Sequence, residues 1–422
     1  MLKILIIVIS LFALLFNYSK KQIISASSLW IICYLLIMVI YPLYVKDETF
    51  KNEGLIDILA LLGIICFFIG LYWGNRYTIK VIKREQENKF NIIPDYKISA
   101  IIFVVLFVVS IIVLVYLLGI VGIRDIIRGA TTSKQFTLNS DRSSSVYGYV
   151  IHLMIPCILA MWLTSNTKKK KAFSIISLLL YIIETILFGF TRIFLISIIA
   201  IILIYEIRKF PQNKQIRYTI LGSVVLAAAM VSLNFIRSLG LGRIGDLASY
   251  INLDYIFEST DFGASYYWFD RLLERDSPFI NPIVYLKPVF MLIPRELWMT
   301  KPEPLSLQVL KYLDPARAAT GYTTAGNSVL GEGYAVLGYW GIILYPMIWG
   351  IVCGRLDRNY YRRINNGIDT CLSNIFYYVF AVFIVISGQR GDWCQYMGIV
   401  CWFYFLPLYV MSKVTFSRQN KI

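Results

Sequence analysis

The chain has 422 residues, 58% of them hydrophobic and only 16% charged, with 41 Lys and Arg against 25 Asp and Glu. A soluble domain of that size has no means of burying so much apolar surface, so the composition points to an all-α polytopic integral membrane protein. The formal net charge of +16 does not signal nucleic acid: no basic stripe is interleaved with stacking aromatics, and Lys and Arg collect in the cytoplasmic loops of multi-span proteins for reasons of insertion alone.

A helix needs about 20 apolar residues to cross about 30 Å of hydrocarbon. Runs of that kind predict eleven spans, at about 2–18, 23–45, 55–74, 98–120, 146–165, 172–189, 191–207, 218–238, 326–353, 369–387 and 395–411. The first run lacks a small-residue cleavage site and reads as a retained span. Alternate connections are basic: Lys20-Lys21, 75–97, Lys168 to Lys171, 208–217, 355–363 and the tail 412–422 hold 23 of the 41 Lys and Arg. The positive-inside rule places these in the cytoplasm, with the N-terminus outside and the C-terminus inside.

The other connections then face outward, among them the tight turns around Arg192 and Arg390 and one loop at 239–325. The chain divides accordingly into eight spans (1–238), a large extracytoplasmic loop (239–325), and three spans with a cytoplasmic tail (326–422). The loop carries seven of the thirteen prolines and fourteen aromatic residues, and unstructured loops of such length are uncommon without a function. "YYWFDRLLERD" (266–276) predicts an amphipathic helix on the interface or on the bundle. "IPRELWMTKPEP" (293–304) cannot continue as a helix through Pro294, Pro302 and Pro304.

Ionisable groups at the edge of a bilayer are costly and are candidates for function. Arg192, Arg237, Arg243, Arg295, Lys301 and Arg390 all fall on the predicted outer side, against the positive-inside trend. Taken singly, each fits snorkelling or local pairing with a carboxylate such as Glu296 or Asp392. As a group they suit a diphosphate, which guanidinium forks bind bidentately. Glu332, at the outer start of the ninth predicted span, reads either as a helix N-terminal charge or as a catalytic or substrate-binding carboxylate. Glu184, in mid-span, needs a cation or a polar cavity. Gly331, Gly333, Gly338 and Gly341 have the spacing of close helix packing in lipid.

His152 is the one histidine, which excludes a His-based metal cluster and a Ser-His-Asp triad; on a span it reads as a helix–helix hydrogen-bond partner. The seven cysteines lie in or beside apolar stretches with no CxxC spacing, so no disulfide framework is expected. No P-loop or GxGxxG is present. Neither metal nor cofactor is therefore expected.

The succession "FGFTRIFLI", "IPRELWMTKPEP", "GNSVLGEGYAVLGYWGI" and "ISGQRGDW" resembles bacterial O-antigen and related oligosaccharide repeat-unit polymerases (Wzy-type), across the whole chain in topology and over about 187–410 in motif. The resemblance implies a metal-independent, lipid-donor glycosyltransferase of the cytoplasmic membrane. It would polymerise undecaprenyl-diphosphate-linked repeat units on the outer face, beside a chain-length regulator and a flippase of the same pathway. Read from the residues, that chemistry makes Glu332 the candidate catalytic base and Arg192, Arg237, Arg243, Arg295, Lys301, Tyr334 and Arg390 candidate ligands of the diphosphate or glycan. The RX10G spacing of some members is absent at Arg237, Arg295 and Arg317. An O-antigen ligase would carry a histidine in the large outer loop, and this loop has none. A transporter or flippase of lipid-linked oligosaccharides would favour short loops, repeated halves and charges at the bilayer midplane.

Overall fold

The computed structural model describes residues 1–20, 22, 24–45, 50–76, 94–128, 144–188, 192–239, 262–293, 297–319, 325–365, 376–386 and 388–419. In chain order the helices are α1 (Leu2–Ser19), α2 (Ala26–Val45), α3 (Glu53–Arg76), α4 (Tyr96–Arg128, broken at Gly119), α5 (Ser144–Thr164), α6 (Lys168–Phe188), α7 (Arg192–Ile207), α8 (Gln212–Leu239), α9 (Phe262–Leu273), α10 (Leu305–Leu313), α11 (Val329–Leu337), α12 (Tyr339–Asn365), α13 (Phe376–Ile386) and α14 (Trp393–Ser412). Among the described residues there is no strand. Among the described residues, seven helices, α1 to α4, α8, α12 and α14, are long and apolar enough to cross a bilayer, and the apolar helices Ile151–Thr164, Leu195–Ile207 and Phe376–Ile386 are shorter. Large apolar side chains line outward faces, as on α1 at Leu11, Phe12, Leu15 and Phe16, which is how helices meet hydrocarbon.

The chain forms two compact units: Met1–Gln86, Thr260–Asp369 and Val379–Gly398 in the first; Glu87–Ser259, Thr370–Tyr378 and Ile399–Ile422 in the second. In the second, α4 packs on α5 and α6, and α7 packs on α8. His152 is buried there, 6.0 Å from the Phe403 ring, and Glu184 is buried on α6.

The first unit is built on a seam between α3 and α12. A Cβ on Gly70 or Gly74 would strike the backbone of Met347 or Ile351, and one on Gly350 or Gly354 would strike that of Phe67 or Leu71. Side-chain-free positions let the two backbones touch, the packing mode that serves helices where lipid removes the hydrophobic drive to associate. Residue numbers rise together along both helices, so they run parallel. At one end of α3, Lys3 of α1 pairs with Glu53. There too Asp270 of α9 accepts from the Asn52 backbone N–H at 2.9 Å, which ties α9 to the start of α3. The expected amphipathic helix is present as α9, with Tyr266, Phe269, Asp270 and Leu272 buried.

The ninth predicted span is corrected. Residues 326–353 are not one helix: α11 ends at Gly338, whose φ of 60° is a left-handed conformation open to glycine, and the chain folds back as α12. Gly333 and Gly341 meet backbone to backbone across this hairpin. With nine residues, α11 is too short to cross a bilayer. Its start lies deep in the unit, because Leu330 reaches the same position as Tyr34 of α2 and Pro346 of α12 beside Gly63 of α3.

Candidate functional site

Two turns of the first unit meet beside α11. Residues 325–328 lead into α11, where Ser328 is the N-cap and its Oγ accepts from the Gly331 backbone N–H at 3.1 Å. Residues 388–392 join α13 to α14. Gly391 and Asp392 have φ of 89° and 62° in succession, and the left-handed state costs a non-glycine residue about 1–2 kcal/mol. The second turn presses on the first: a Cβ on Gly391 would meet the backbone of Asn327, and one on Gly388 would meet the Trp349 ring. Trp349 lies ten residues beyond Tyr339, roughly 15 Å down α12. The turn bearing Arg390 is therefore sunk along α12, well below the level of Gly338.

Polar side chains concentrate here. Glu332 and Asn327 are fully buried, Gln389 is 1% exposed, and Ser306 and Asp392 are also buried. Ser306 Oγ donates to Asp392 Oδ2 at 2.6 Å, linking α10 to the second turn. By contrast, both side-chain polar atoms of Asn327, Gln389 and Glu332 make no hydrogen bond in the structure. Leaving a buried polar group in that condition costs about 1–3 kcal/mol, so three such residues in two adjoining turns are an expensive arrangement for a purely structural joint.

Glu332 lies in the first turn of α11, where a carboxylate favours its own helix N-terminus. It also faces the start of another helix. The backbone N–H groups of Asp392 and Trp393, where α14 begins, favour its ionised form, although neither closes a hydrogen bond to it. Burial outweighs them and, with the nearby Asp392 carboxylate adding to it, holds the Glu332 carboxyl well above the usual carboxylate range. A carboxyl so placed is a stronger base, once ionised, than one in water.

An aromatic cavity of about 310 Å³ adjoins Trp393, lined by Tyr285, Tyr345, Trp349, Phe380 and Met397 among others, with no polar surface. Trp393 stacks on Tyr285 at 5.8 Å and meets Trp349 edge-on at 6.1 Å.

Of the cations singled out in the sequence, Arg390 lies half-buried in the second turn, two residues from Asp392. Lys301 donates to the backbone carbonyls of Met291 and Ile293 at 3.0 and 2.7 Å, closing the segment that precedes α10. Arg192 opens α7 and Arg237 lies in the last turn of α8, with side chains outside the described set. Arg243 and Arg295 fall outside the described residues, as does part of "IPRELWMTKPEP"; within the rest, Leu297 and Met299 are strongly exposed and Trp298 packs edge-on against Phe290. Tyr334 is buried, its carbonyl accepting from Ser277 Oγ at 2.7 Å and its ring edge-on to Tyr339.

Asn327, Gln389, Ser306 and Lys287 escape a reading by charge depth. Lys287 donates to Gln395 Oε1 at 3.1 Å, one turn into α14. A neutral amide carries no charge to mark it; the available clue is "AGNSVLG" and "SGQRG", each an amide preceded by a small-residue pair. Among the described residues, no group of three or more His, Cys, Asp or Glu side chains is placed to hold a metal ion. No protein-family model, curated protein or solved structure matches this chain.

Proposed function

We propose that this protein is a bacterial cytoplasmic-membrane glycosyltransferase that polymerises undecaprenyl-diphosphate-linked oligosaccharide repeat units into a surface polysaccharide on the outer face. The observation that carries the proposal is Glu332, a fully buried carboxyl beside Asn327 and Gln389, whose polar atoms also make no hydrogen bond within the protein. Such groups suit a polar guest, and sugar hydroxyls both donate and accept. The motif resemblance over 187–410 supplies the substrate class.

The chemistry asks little of the protein beyond positioning and charge. A hydroxyl oxygen of one repeat unit attacks the anomeric carbon of the growing glycan. The bond from that carbon to the diphosphate oxygen breaks, the lipid diphosphate leaves with the electron pair, and the hydroxyl proton passes to the Glu332 carboxylate. Arg390, in the turn next to Glu332, supplies positive charge to the departing diphosphate. The apolar cavity at Trp393 suits the first isoprenoid units of the lipid. With the basic connections in the cytoplasm, the N-terminus is outside and the Glu332 end of the unit faces outward.

Purified protein supplied with lipid-diphosphate repeat units, and with no nucleotide sugar or added metal, should yield a ladder of lengthening glycans. Units that remain single at every protein concentration would remove the polymerase assignment.

A further inference from the structure

The first unit has a second cavity at its other end. It encloses about 840 Å³ between α1, the start of α2 and the last turns of α3 and α12. Asn75, which lines it, is twelve residues beyond Gly63, roughly 18 Å along α3 from the level of Leu330. The cavity is chemically two-sided. Phe12, Phe16, Leu71 and Tyr72 form an apolar wall, and Phe12 and Tyr72 are 72% and 53% exposed. That wall is continuous with the outward face of α1 that also carries Leu11 and Leu15. Lys20, Arg358 and Arg362 line the same cavity.

Among the described lining residues the one carboxylate is already committed. Asp357 Oδ1 and Oδ2 accept from the backbone N–H groups of Ala26 and Ser27 at 2.8 and 3.0 Å, where the positive end of the α2 dipole favours an anion. Lys20 lies over the Phe16 ring at 4.1 Å, and Arg358 donates to the Asn75 carbonyl near the end of α3. Three cations thus border an apolar groove, and among the described lining residues no carboxylate is left to neutralise them.

We infer that this cavity holds an anionic phospholipid, with its phosphate on Lys20, Arg358 and Arg362 and an acyl chain along Phe12, Phe16, Leu71 and Tyr72. A basic pocket between membrane helices on the positively charged side is the setting in which such headgroups bind. The apolar wall selects a lipid over a free phosphate. The distance from Glu332 makes the site separate from the proposed transfer reaction, so it stands or falls without that assignment.

Native mass spectrometry of the full-length protein, titrated with phosphatidylglycerol or phosphatidylcholine of the same acyl chains, tests it. Phosphatidylglycerol should bind the more tightly. The double variant Lys20→Gln/Arg362→Gln should lose about 30-fold in its affinity for phosphatidylglycerol, as two surface cations acting on one anionic headgroup predict, and so lose most of its preference over phosphatidylcholine, whose choline cation already offsets the phosphate. Ala13→Trp, which fills the groove and leaves the cations in place, should abolish binding of both lipids. Inorganic phosphate should not displace the lipid. Equal binding of the two lipids to the parent protein, an unchanged affinity in the double variant, or displacement by phosphate at equal concentration would each overturn the inference.

Discussion

The α3–α12 seam and the pair of turns beside α11 lie in one compact unit and treat buried backbone in opposite ways. Along the seam, glycines bring two continuous helices together backbone to backbone, and helical hydrogen bonds serve the main chain there except where Pro346 interrupts them. At the turns the helices stop. Gly391 and Asp392 adopt positive φ, and Asn327, Glu332 and Gln389 stay buried with polar atoms that make no hydrogen bond. The seam is the kind of contact that holds a membrane bundle together. The turns are the kind that a bundle tolerates only when something rigid supports them, since their unsatisfied groups oppose folding by about 1–3 kcal/mol each. The difference separates what stabilises this protein from what it does.

The largest effect should come from breaking the seam. Gly350→Leu forces a side chain into the Phe67 and Leu71 backbone, which rigid helices cannot yield, and folded protein in the membrane should be lost; normal abundance with an unchanged melting temperature would show the seam to be dispensable. Next is Glu332→Gln, which should leave abundance intact without lowering the melting temperature, yet lower the transfer rate by about 10²–10⁴-fold, the usual loss for a general base. Polymer should vanish while the single-unit lipid intermediate persists, and Glu332→Asp should keep a little activity. A full-length ladder from Glu332→Gln would end the base assignment and transfer it to Asp392.

The same residue predicts a pH dependence that the seam does not share. Because burial raises the Glu332 carboxyl in the folded state, the folded protein holds this proton to a higher pH than the unfolded chain does. Stability is then fully present below the ordinary carboxyl range and falls as pH rises above it. Glu332→Gln should remove that decline, seen as convergence of the two melting curves at low pH and divergence at higher pH. In the parent protein the rate should rise with pH along a limb displaced upward from the ordinary carboxylate range.

A smaller effect should follow Ser306→Ala, which deprives Asp392 of its 2.6 Å donor and should cost about 1–3 kcal/mol, read as a lower melting temperature. The smallest, and opposite in sign, is Gln389→Leu: replacing a buried amide that makes no hydrogen bond with an apolar side chain should hold or slightly raise stability while lowering glycan transfer. A large loss of stability there would mean that Gln389 is a structural member of the turn and not part of a polar site.

Hydropathy was enough to read the membrane class and the helical character, because a bilayer imposes length and polarity on each segment separately. Amphipathic patterning located α9 for the same reason, as each residue's face follows from helical period alone. The break at Gly338 was not legible: 333–353 is an unbroken run without a charge, and a single positive φ in such a run leaves hydropathy unchanged. Nor was the depth of the 388–392 turn, which depends on where Trp349 and Asn327 stand beside it. Glu332 was visible as a charge out of place, but the helix end it faces belongs to α14, some sixty residues later. Asn327 and Gln389 are uncharged, and only burial makes an uncharged amide conspicuous. Burial and partnership are properties of contacts between distant segments, so tertiary structure alone decided them.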